Sequence, residues 1–350
     1  MENLTKEQLE LEKQKLDVLK QELEERNKQM FSMSETVYKE KKKIEEQLKE
    51  ILQEKSLLES QKKENDEKVK MLWEQSTAMH KEKERIDLIK TQIEYRHKEI
   101  IDSVHYAKKI QQAILPSQEL ISSFLPDSFI FFKPKNIVSG DFFWVHRLDQ
   151  YRILFAAVDC TGHGVPGAFM SIMGYHLLER VVIEHQVYEP AKILNELSKS
   201  VIQSLKQTNE LESVKDGMDI ALCKVDFENN TLEFAGAHNS LYFIRKGILT
   251  EIKADRKSVG ISISKSNEFS NHEIKLEKGD CLYIFSDGFV DQKGGPENVK
   301  FFYQPFKELL LEIHQEKMSV QKQKLERVIS DWKGDKGQID DMLIIGLRIQ

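Results

Sequence analysis

The first third of the chain carries one apolar column that repeats every seventh residue. Residues 1–115 contain neither proline nor glycine and are rich in Glu, Lys, Gln and Leu, which favour helix. Because a strict seven-residue repeat winds helices around each other, the pattern predicts a long coiled coil. The column, in which Asn65 is the polar exception, consists of Leu9, Leu16, Leu23, Met30, Val37, Ile44, Ile51, Leu58, Asn65, Leu72, Met79, Ile86, Ile93, Ile100, Ala107 and Ile114.

The second apolar column that a tight coiled coil needs is much poorer. Positions three or four residues after the first column include Leu19 and Met33, but also Glu12, Lys13 and Arg26. A parallel dimer with one good seam is less stable than its length suggests and is able to shift register. Such a rod suits signal transmission, and it equally suits a loosely selected spacer.

Asn65 has two interpretations. A lone asparagine in a coiled-coil core fixes the register and favours a dimer, at some cost in stability. Asn65 also lies in the polar stretch 61–66, where the coil can simply be interrupted. The heptad phase resumes at Leu72 without a skip, so the sequence leaves both interpretations open.

Beyond Pro116, short apolar runs alternate with turns. The runs predict strands over 129–132, 153–158, 220–225, 232–235, 241–244, 281–285 and 342–347. Helices are predicted over 166–184, 190–206, 305–315 and 320–332. Asn229-Asn230 and Lys246-Gly247 are typical of hairpin turns. The length of this region is ample for one hydrophobic core.

Composition narrows the functional classes. Fifty-two basic and fifty-eight acidic residues give a formal charge of -6, which offers no general basic face for nucleic acid. Cys160, Cys223 and Cys281 are widely spaced beside apolar runs, so we expect buried, reduced thiols. Residues 1–7 lack the apolar core of a signal peptide, and no run is long enough to span a membrane. We therefore expect a cytoplasmic protein without membrane insertion.

Five acidic clusters punctuate the second part of the chain. Several follow an apolar run that predicts a strand, so these aspartates are expected to meet at one sheet edge. Gathered carboxylates repel each other unless a cation, a proton or water relieves them, and oxygen ligands suit Mg²⁺ or Mn²⁺. Each cluster alone is a weak signal, because Asp-Gly is also an ordinary turn. The clusters are Ser139-Gly140-Asp141, Asp159-Cys160-Thr161-Gly162-His163-Gly164, Gly217-Met218-Asp219, Ser286-Asp287-Gly288 and Asp340-Asp341.

The order and context of all five clusters resemble the metal-dependent serine/threonine phosphatases of the PPM or PP2C-like superfamily, in its bacterial SpoIIE and RsbU branch. The segment 103–111 is similar to the linker helix that precedes such domains. The resemblance covers about residues 104–349, and its segments are 138–144, 158–168, 216–221, 235–239, 285–288 and 340–342.

This resemblance implies an α+β fold, an α/β/β/α sandwich of two packed antiparallel sheets flanked by helices. With the heptad column, it predicts a coiled coil over 1–98, a linker helix over 99–116 and a phosphatase domain over 117–350.

The resemblance also implies a catalytic centre with two Mn²⁺ or Mg²⁺ ions. Asp159 would bridge the ions, with the carbonyl group of Cys160 as a further ligand. Asp287 would hold one ion, Asp340 would join Asp159 on the other, and Asp141 would act mainly through metal-bound water. A water activated by the metals would then attack phosphoserine or phosphothreonine directly, without a phosphoenzyme.

Other residues near these motifs have supporting roles. Gly162 and Gly288 allow the backbone to approach a cation or a phosphate. His163 is expected to have a structural or phosphate-facing role, with general acid as the alternative. Asp219 either contacts a third metal or a ligand water, or forms a hydrogen bond within the core. Asp341 is expected to support the neighbouring ligand.

The resemblance implies a phosphorylated regulatory protein as substrate, by analogy with the STAS-type anti-sigma antagonists of partner-switching systems. PP2C proteins hold phosphate with an arginine ahead of the first acidic motif, where this chain offers Lys133 and Lys135. The alternative is a coiled-coil scaffold whose phosphatase-like domain is catalytically silent and only binds phosphoproteins. The filled acidic positions argue against that alternative.

The heptad column runs directly into the predicted linker through Ile93, Ile100, Ala107 and Ile114. We therefore expect a homodimer in which the linker helices set the position of the metal-binding segments. A rigid spacer that only raises local concentration is the alternative. No sensor domain is recognisable in the sequence, so we expect the coil to receive the signal or to bind an upstream sensor protein.

Overall fold

The computed structural model describes residues 6–207, 216–260 and 268–350, so residues 1–5 of the predicted coil lie outside the described part. The chain divides into two compact units, Met1–Glu94 and Tyr95–Gln350. Helix α1 extends over Lys6–Ile114 without a break. In the first unit its described side chains are exposed, Asn65 and Ile93 included. The apolar column is therefore free to pack against another helix.

The second unit is built from antiparallel strands. In chain order they are β1 (Ser128–Lys133), β2 (Phe142–Arg147), β3 (Arg152–Cys160), β4 (Met218–Asp226), β5 (Thr231–Ala237), β6 (Leu241–Arg245), β7 (Ile248–Ile252), β8 (His272–Lys275), β9 (Cys281–Phe285), β10 (Lys293–Gly294), β11 (Val299–Lys300) and β12 (Met342–Arg348). One sheet has the order β1-β12-β9-β6-β7 and the other β2-β3-β4-β5-β8, while β10 and β11 form a small hairpin.

Helices cover the outer face of each sheet. Helices α3 and α4 pack on the β2-β3-β4-β5-β8 sheet, and α6 and α7 pack on the other sheet. This arrangement is the predicted α/β/β/α sandwich, and the fold prediction is confirmed. The remaining helices are α2 (Gln118–Phe124), α3 (Gly164–Glu179, continued by a π-helical turn over Arg180–Glu184), α4 (Pro190–Ser204), α5 (Gly288–Asp291), α6 (Tyr303–Ile313) and α7 (Met318–Lys333).

The central strands are buried on both faces, which explains their continuous apolar sequences. In β3, Phe155 and Ala157 point into the core between the sheets, whereas Ala156 and Val158 point toward the helices. Two packed layers therefore hold each central strand in place. The strand ends that carry the aspartates are fixed from both sides.

Most of the predicted elements are present. Each predicted strand falls within a strand of the structure, and Asn230, Lys246 and Gly247 have the positive φ angles that tight hairpin turns need. Strands β2, β7, β8, β10 and β11 were not predicted. The first three residues of β2 were assigned to the resemblance segment 138–144, and β8 is short, with polar residues in alternation. Among the described residues, no helix combines the length and the apolar character needed to span a bilayer.

Gly346 provides a test of how β12 is seated. It lies directly opposite Phe129 across the β1–β12 pair, and a Cβ atom at Gly346 would overlap the Phe129 ring. We expect Gly346→Ala to lower the free energy of unfolding by about 1–3 kcal/mol, because overpacking strains a dense core. Gly337→Ala is the matched control, since a Cβ atom there meets nothing within 4 Å. Urea unfolding measures both, and equal losses would contradict this account.

Candidate metal centre

The predicted acidic residues meet at one edge of the two sheets. Asp141 directly precedes β2, Asp159 lies near the end of β3, and Asp219 lies at the start of β4. Asp287 follows β9, and Asp340 precedes β12. Because neighbouring strands run antiparallel, the end of one strand lies beside the start of the next. The structure thus brings together aspartates from five separate segments.

Asp159 lies at the centre of this acidic edge. It is directly opposite Asp219 in the β3–β4 register, so the two side chains lie on the same face of the sheet. Burial raises the pKa of Asp159 to about 8, and the charges of Asp287, Asp340 and Asp219 contribute to the increase. A carboxyl group that keeps its proton near neutral pH is one that a cation can relieve in place of the proton.

Asp141 is almost fully buried, and its Oδ2 atom has no hydrogen-bond partner among the described residues. Burial raises the pKa of Asp141 well above its usual range, the charge of Asp159 adds to the increase, and a hydrogen bond from Ser286 partly offsets it. The Asp141 backbone N–H donates to Ser139 Oγ at 3.1 Å, which fixes the chain at this position. An orphaned carboxylate oxygen inside an acidic cluster is suited to a cation or to a water bound by one.

Asp287 is less buried than Asp141 and lies at the start of the short helix α5. Burial and the charges of Asp291, Asp340 and Asp219 raise the pKa of Asp287 to about 6, whereas Lys300 lowers it. The backbone N–H of Asp291 donates to the carbonyl oxygen of Asp287 at 2.9 Å. The backbone of α5 therefore holds Asp287 toward the other carboxylates.

Asp341 uses its carboxylate to hold the backbone. Its Oδ1 accepts from the N–H of Lys135 at 2.6 Å, and its Oδ2 accepts from the N–H of Gly140 at 2.7 Å. The segment that precedes Asp141 is thereby tied to the start of β12. The N–H of Asp341 itself donates to Asp340 Oδ1 at 2.9 Å. Asp341 thus positions both the segment before Asp141 and the carboxylate of Asp340.

The glycines of the acidic motifs allow backbone segments to pack against each other. A Cβ atom at Gly140 would overlap the carbonyl oxygen of Gly162, and one at Gly288 would overlap the carbonyl oxygen of Asp341. Gly162 also has a φ of +88°, which favours glycine. The sequence predicted that Gly162 and Gly288 admit a cation or phosphate, and the contacts that the structure shows for Gly288 are with protein backbone.

Cys160 is the last residue of β3, and His163 directly precedes α3, so the two residues flank the same short loop. The Cys160 side chain is buried in the core between its sheet and the helices, and burial raises the pKa of the thiol well above its usual range. The thiol is therefore not a nucleophile. The carbonyl oxygen of Cys160 lies close to Gly140, because a Cβ atom at Gly140 would be 3.4 Å from it. His163 is exposed and occupies the N-cap position of α3 without a capping side-chain hydrogen bond.

Asp219 is held by a residue from a distant loop. Ser258 Oγ donates to Asp219 Oδ1 at 2.6 Å. Burial raises the pKa of Asp219, while this hydrogen bond and the charge of His238 act in the opposite direction. One oxygen of the Asp219 carboxylate is thus hydrogen-bonded within the protein, and the residue still faces Asp159. Both expected roles, a contact to a third metal or a ligand water and a hydrogen bond within the core, therefore remain available.

The donor set consists of carboxylate and carbonyl oxygens, which fits Mg²⁺ or Mn²⁺. Within the described ranges, no three His, Cys, Asp or Glu side chains stand as a ready ligand set around one point. The carboxylates are near enough to raise one another's pKa values.

Gln111 of α1 was missed as a functional candidate. It is buried and donates to the carbonyl oxygen of Ser139 at 2.7 Å and to Ser171 Oγ at 2.8 Å. It also accepts from the N–H of Ser139 at 3.1 Å. The end of α1 is thus bonded to the segment that leads to Asp141. The available signal was its place in the linker-like segment 103–111.

Three further residues near the acidic edge also went unpredicted. Ser286 stands next to Asp287 in its motif, so its position was a usable signal. Ser258 and Lys300 carry no local pattern, because each reaches the site through tertiary structure. Of the predicted regulatory residues, Asn65 and Ile93 belong to the first unit, whereas Ile100, Ala107 and Ile114 belong to the unit that contains the acidic edge.

Known proteins share both the sequence and the fold of this region. The family model described as Stage II sporulation protein E (SpoIIE) matches residues 149–350, which is more than half of the chain. The solved SiaA-PP2C domain of Pseudomonas aeruginosa is 31% identical, with a TM-score of 0.66, and the match covers 73% of this chain and 98% of that domain.

Two curated relatives come from Bacillus subtilis (strain 168). Phosphoserine phosphatase RsbU is 25% identical over 62% of this chain and 61% of its own length. Phosphoserine phosphatase RsbP is 24% identical over 53% of this chain and 44% of its own length. The chain thus spans about half to three fifths of the curated relatives that it matches.

The predicted SpoIIE and RsbU branch of the PP2C-like superfamily is confirmed by the family match and by the fold. The chain belongs to the SpoIIE family and carries a PP2C-like phosphatase domain behind a long N-terminal helix.

Proposed function

We propose that this protein hydrolyses phosphoserine or phosphothreonine on a regulatory protein, such as a STAS-type anti-sigma antagonist, with the help of Mn²⁺ or Mg²⁺. The observation that carries the proposal is the convergence of aspartates from five segments at one sheet edge, with an unpartnered oxygen on Asp141. The similarity to two phosphoserine phosphatases supports the same reaction.

The residues present fit two divalent cations. Asp159 would hold both ions, Asp287 one and Asp340 the other, with Asp141 and the carbonyl group of Cys160 as further donors. When bound, such ions supply positive charge to the phosphoryl oxygens and lower the pKa of a water molecule. The fit rests on the all-oxygen donor set and on the raised pKa values of Asp159 and Asp287.

The remaining side chains of the site keep these donors in place. Asp341 fixes the backbone before Asp141 through its two hydrogen bonds from N–H groups. Ser258 orients Asp219, and Ser286 donates to Asp141. His163 is exposed at the start of α3, where it would have a structural or phosphate-facing role, with general acid as the alternative.

Substitution of the central aspartates tests the reaction. We expect Asp159→Asn and Asp287→Asn to lower the Mn²⁺-dependent kcat/KM for p-nitrophenyl phosphate by more than about a hundredfold, because each removes a charge that holds the ions. Asp331→Asn is the matched control, since the Asp331 side chain is 73% exposed and lies outside the acidic edge. Steady-state kinetics of the purified chain provide the measurement.

The same experiment separates hydrolysis from a scaffold role. Turnover that survives both substitutions contradicts the proposed ligand set. The catalytically silent scaffold is favoured if the wild-type chain binds Mn²⁺ but hydrolyses neither a small phosphoester nor phosphoproteins. This result must hold both for the full chain and for the chain without its first 116 residues.

Stability against pH tests whether cations replace protons at the acidic edge. The raised pKa values of Asp159 and Asp287, about 8 and about 6, mean that the folded state holds these protons more tightly than the unfolded chain. Their stabilisation is complete below the ordinary aspartate pKa and is lost as pH rises through the folded values. With a chelator present, we therefore expect the melting temperature to fall between about pH 5 and about pH 8.

Adding Mn²⁺ at the upper end of this range should restore the melting temperature, because the ions take the place of the lost protons. Asp159→Asn should make the chelated protein less sensitive to pH, since the amide does not ionise. Differential scanning calorimetry measures both effects. A melting temperature that responds neither to pH nor to Mn²⁺ would rule out this coupling.

We further propose that the protein is a homodimer whose linker helices control the site. The exposed apolar column along α1 supports pairing with a second copy. In the second unit, Ile100 and Ala107 of this column line a groove of about 610 Å³ together with Val165 of α3. Gln111 supplies a direct connection, because it bonds α1 to the backbone before Asp141.

Gln111→Leu tests that connection. The substitution leaves the buried N–H of Ser139 without its partner and removes two further hydrogen bonds to Ser139 and Ser171, so we expect a loss of about 2 kcal/mol in the free energy of unfolding. We also expect turnover of this variant to become insensitive to insertions of one to four residues near residue 98, insertions that change turnover of the wild type. Gln112→Leu is the control, because Gln112 is exposed.

Enzyme kinetics across the insertion series, combined with urea unfolding, provide the readout. Wild-type turnover that stays constant across the insertions favours the rigid-spacer alternative. A Gln111→Leu protein that still responds to the insertions as the wild type does would show that the coupling takes another route.

A further inference from the structure

The β10–β11 hairpin and the start of α6 lie against the short helix that begins after Asp287. The N–H of Phe302 donates to the carbonyl oxygen of Val290 at 2.8 Å, and the N–H of Phe301 donates to that of Gln292 at 3.0 Å. These backbone bonds seat residues 299–303 beside the acidic edge. None of these residues was predicted from the sequence to belong to the site.

Lys300 brings a positive charge to this position. Its Nζ atom lies 2.7 Å from Asp291 Oδ2, and its side chain is 45% exposed. Asp291 stands at the end of α5, one helical turn after Asp287. The ammonium group lowers the pKa of Asp287, so its charge is felt within the acidic edge. Lys300 is thus half open to solvent and is paired with a residue one helical turn from the candidate ligand Asp287.

The backbone next to Lys300 is strained. Phe302 has φ 67° and ψ 159°, a region that is occupied almost exclusively by glycine, and its side chain is 53% exposed. Tyr303 follows, and burial together with the charges of Asp287 and Asp291 raises the pKa of its phenol. Strain of this kind persists only where the surroundings impose it, and it concentrates at ligand-binding sites.

We propose that Lys300 contacts the phosphate group of the substrate, with the phenol of Tyr303 beside it. The inference rests on the proposed phosphatase function. A phosphate dianion that approaches a group of carboxylates needs positive charge beyond them, and a lysine is a compact point charge on a flexible stem. Because Lys300 is half exposed, it is able to leave Asp291 and reach an anion. It would supply the positive charge that PP2C proteins take from an arginine ahead of the first acidic motif, where this chain has Lys133 and Lys135.

A purely structural role for Lys300 makes a different prediction. If Lys300 only forms an exposed ion pair, its replacement changes the stability of the protein little and leaves the affinity of the protein for an anion unchanged. Lys324 offers a matched control, because it forms an ion pair of the same kind with Glu316 at 3.1 Å and is 39% exposed. Neither Lys324 nor Glu316 belongs to the acidic edge.

The test measures the binding of inorganic phosphate to the full chain in the presence of Mg²⁺. A titration monitored by ³¹P NMR gives the affinity. We expect Lys300→Gln to weaken binding by about tenfold, because a charge-assisted hydrogen bond is lost. Lys300→Arg should retain affinity within about threefold, and Lys324→Gln should have no effect. Melting temperatures of all variants should match the wild type, which excludes a general loss of fold.

Unchanged phosphate affinity in Lys300→Gln overturns the inference, as does a wild-type chain that binds no phosphate. Turnover of p-nitrophenyl phosphate is measured separately on the same proteins. A wild type that binds phosphate through Lys300 but hydrolyses nothing contradicts the proposed function and leaves the contact standing. If the wild type hydrolyses the ester but Lys300→Gln binds phosphate as tightly as the wild type, the Lys300 contact is contradicted and the proposed function stands.

Discussion

The burial of several carboxylates close together is the constraint on which the rest of this structure depends. Asp141, Asp159 and Asp287 all have raised pKa values, and burial is the largest cause for each. Folding must therefore hold together groups that separate freely in the unfolded chain. Two packed sheets with helices outside supply that force, because each strand end is anchored by a strand buried on both faces.

The loops of the acidic edge are held mainly through their backbones. Asp341 binds two N–H groups of the segment before Asp141, and Gly140 and Gly288 allow main chains to lie where a Cβ atom would not fit. Such contacts fix the backbone on both sides of the acidic edge.

The linker end of α1 adds a connection that a simple tether would lack. Gln111 satisfies both polar backbone groups of Ser139, two residues before Asp141. Buried polar groups are costly to leave unpaired, so the helix and this segment are expected to move together. The proposed control by dimerisation thus has a physical path, from the apolar column of α1 through one side chain to the acidic edge.

Much of this architecture was predictable from local sequence. Heptad spacing predicts the long helix, and continuous apolar runs predict the central strands. The aspartates at the ends of these runs were predicted to meet at one sheet edge, but Asp159 and Asp287 come from different sheets, and the packing of the two sheets brings them together. Their roles as metal ligands stay predictions.

The remaining site residues could not be found in this way. Ser258 reaches Asp219 from a loop, and Lys300 reaches Asp291 from the two-residue strand β11; neither segment carries a periodic signal. The hydrogen bonds of Gln111 likewise span 28 and 60 positions. The sequence alone therefore determined the elements and the acidic residues at their ends, because both follow from local spacing. Tertiary structure decided which side chains meet those residues, because contacts between distant segments depend on how the layers pack.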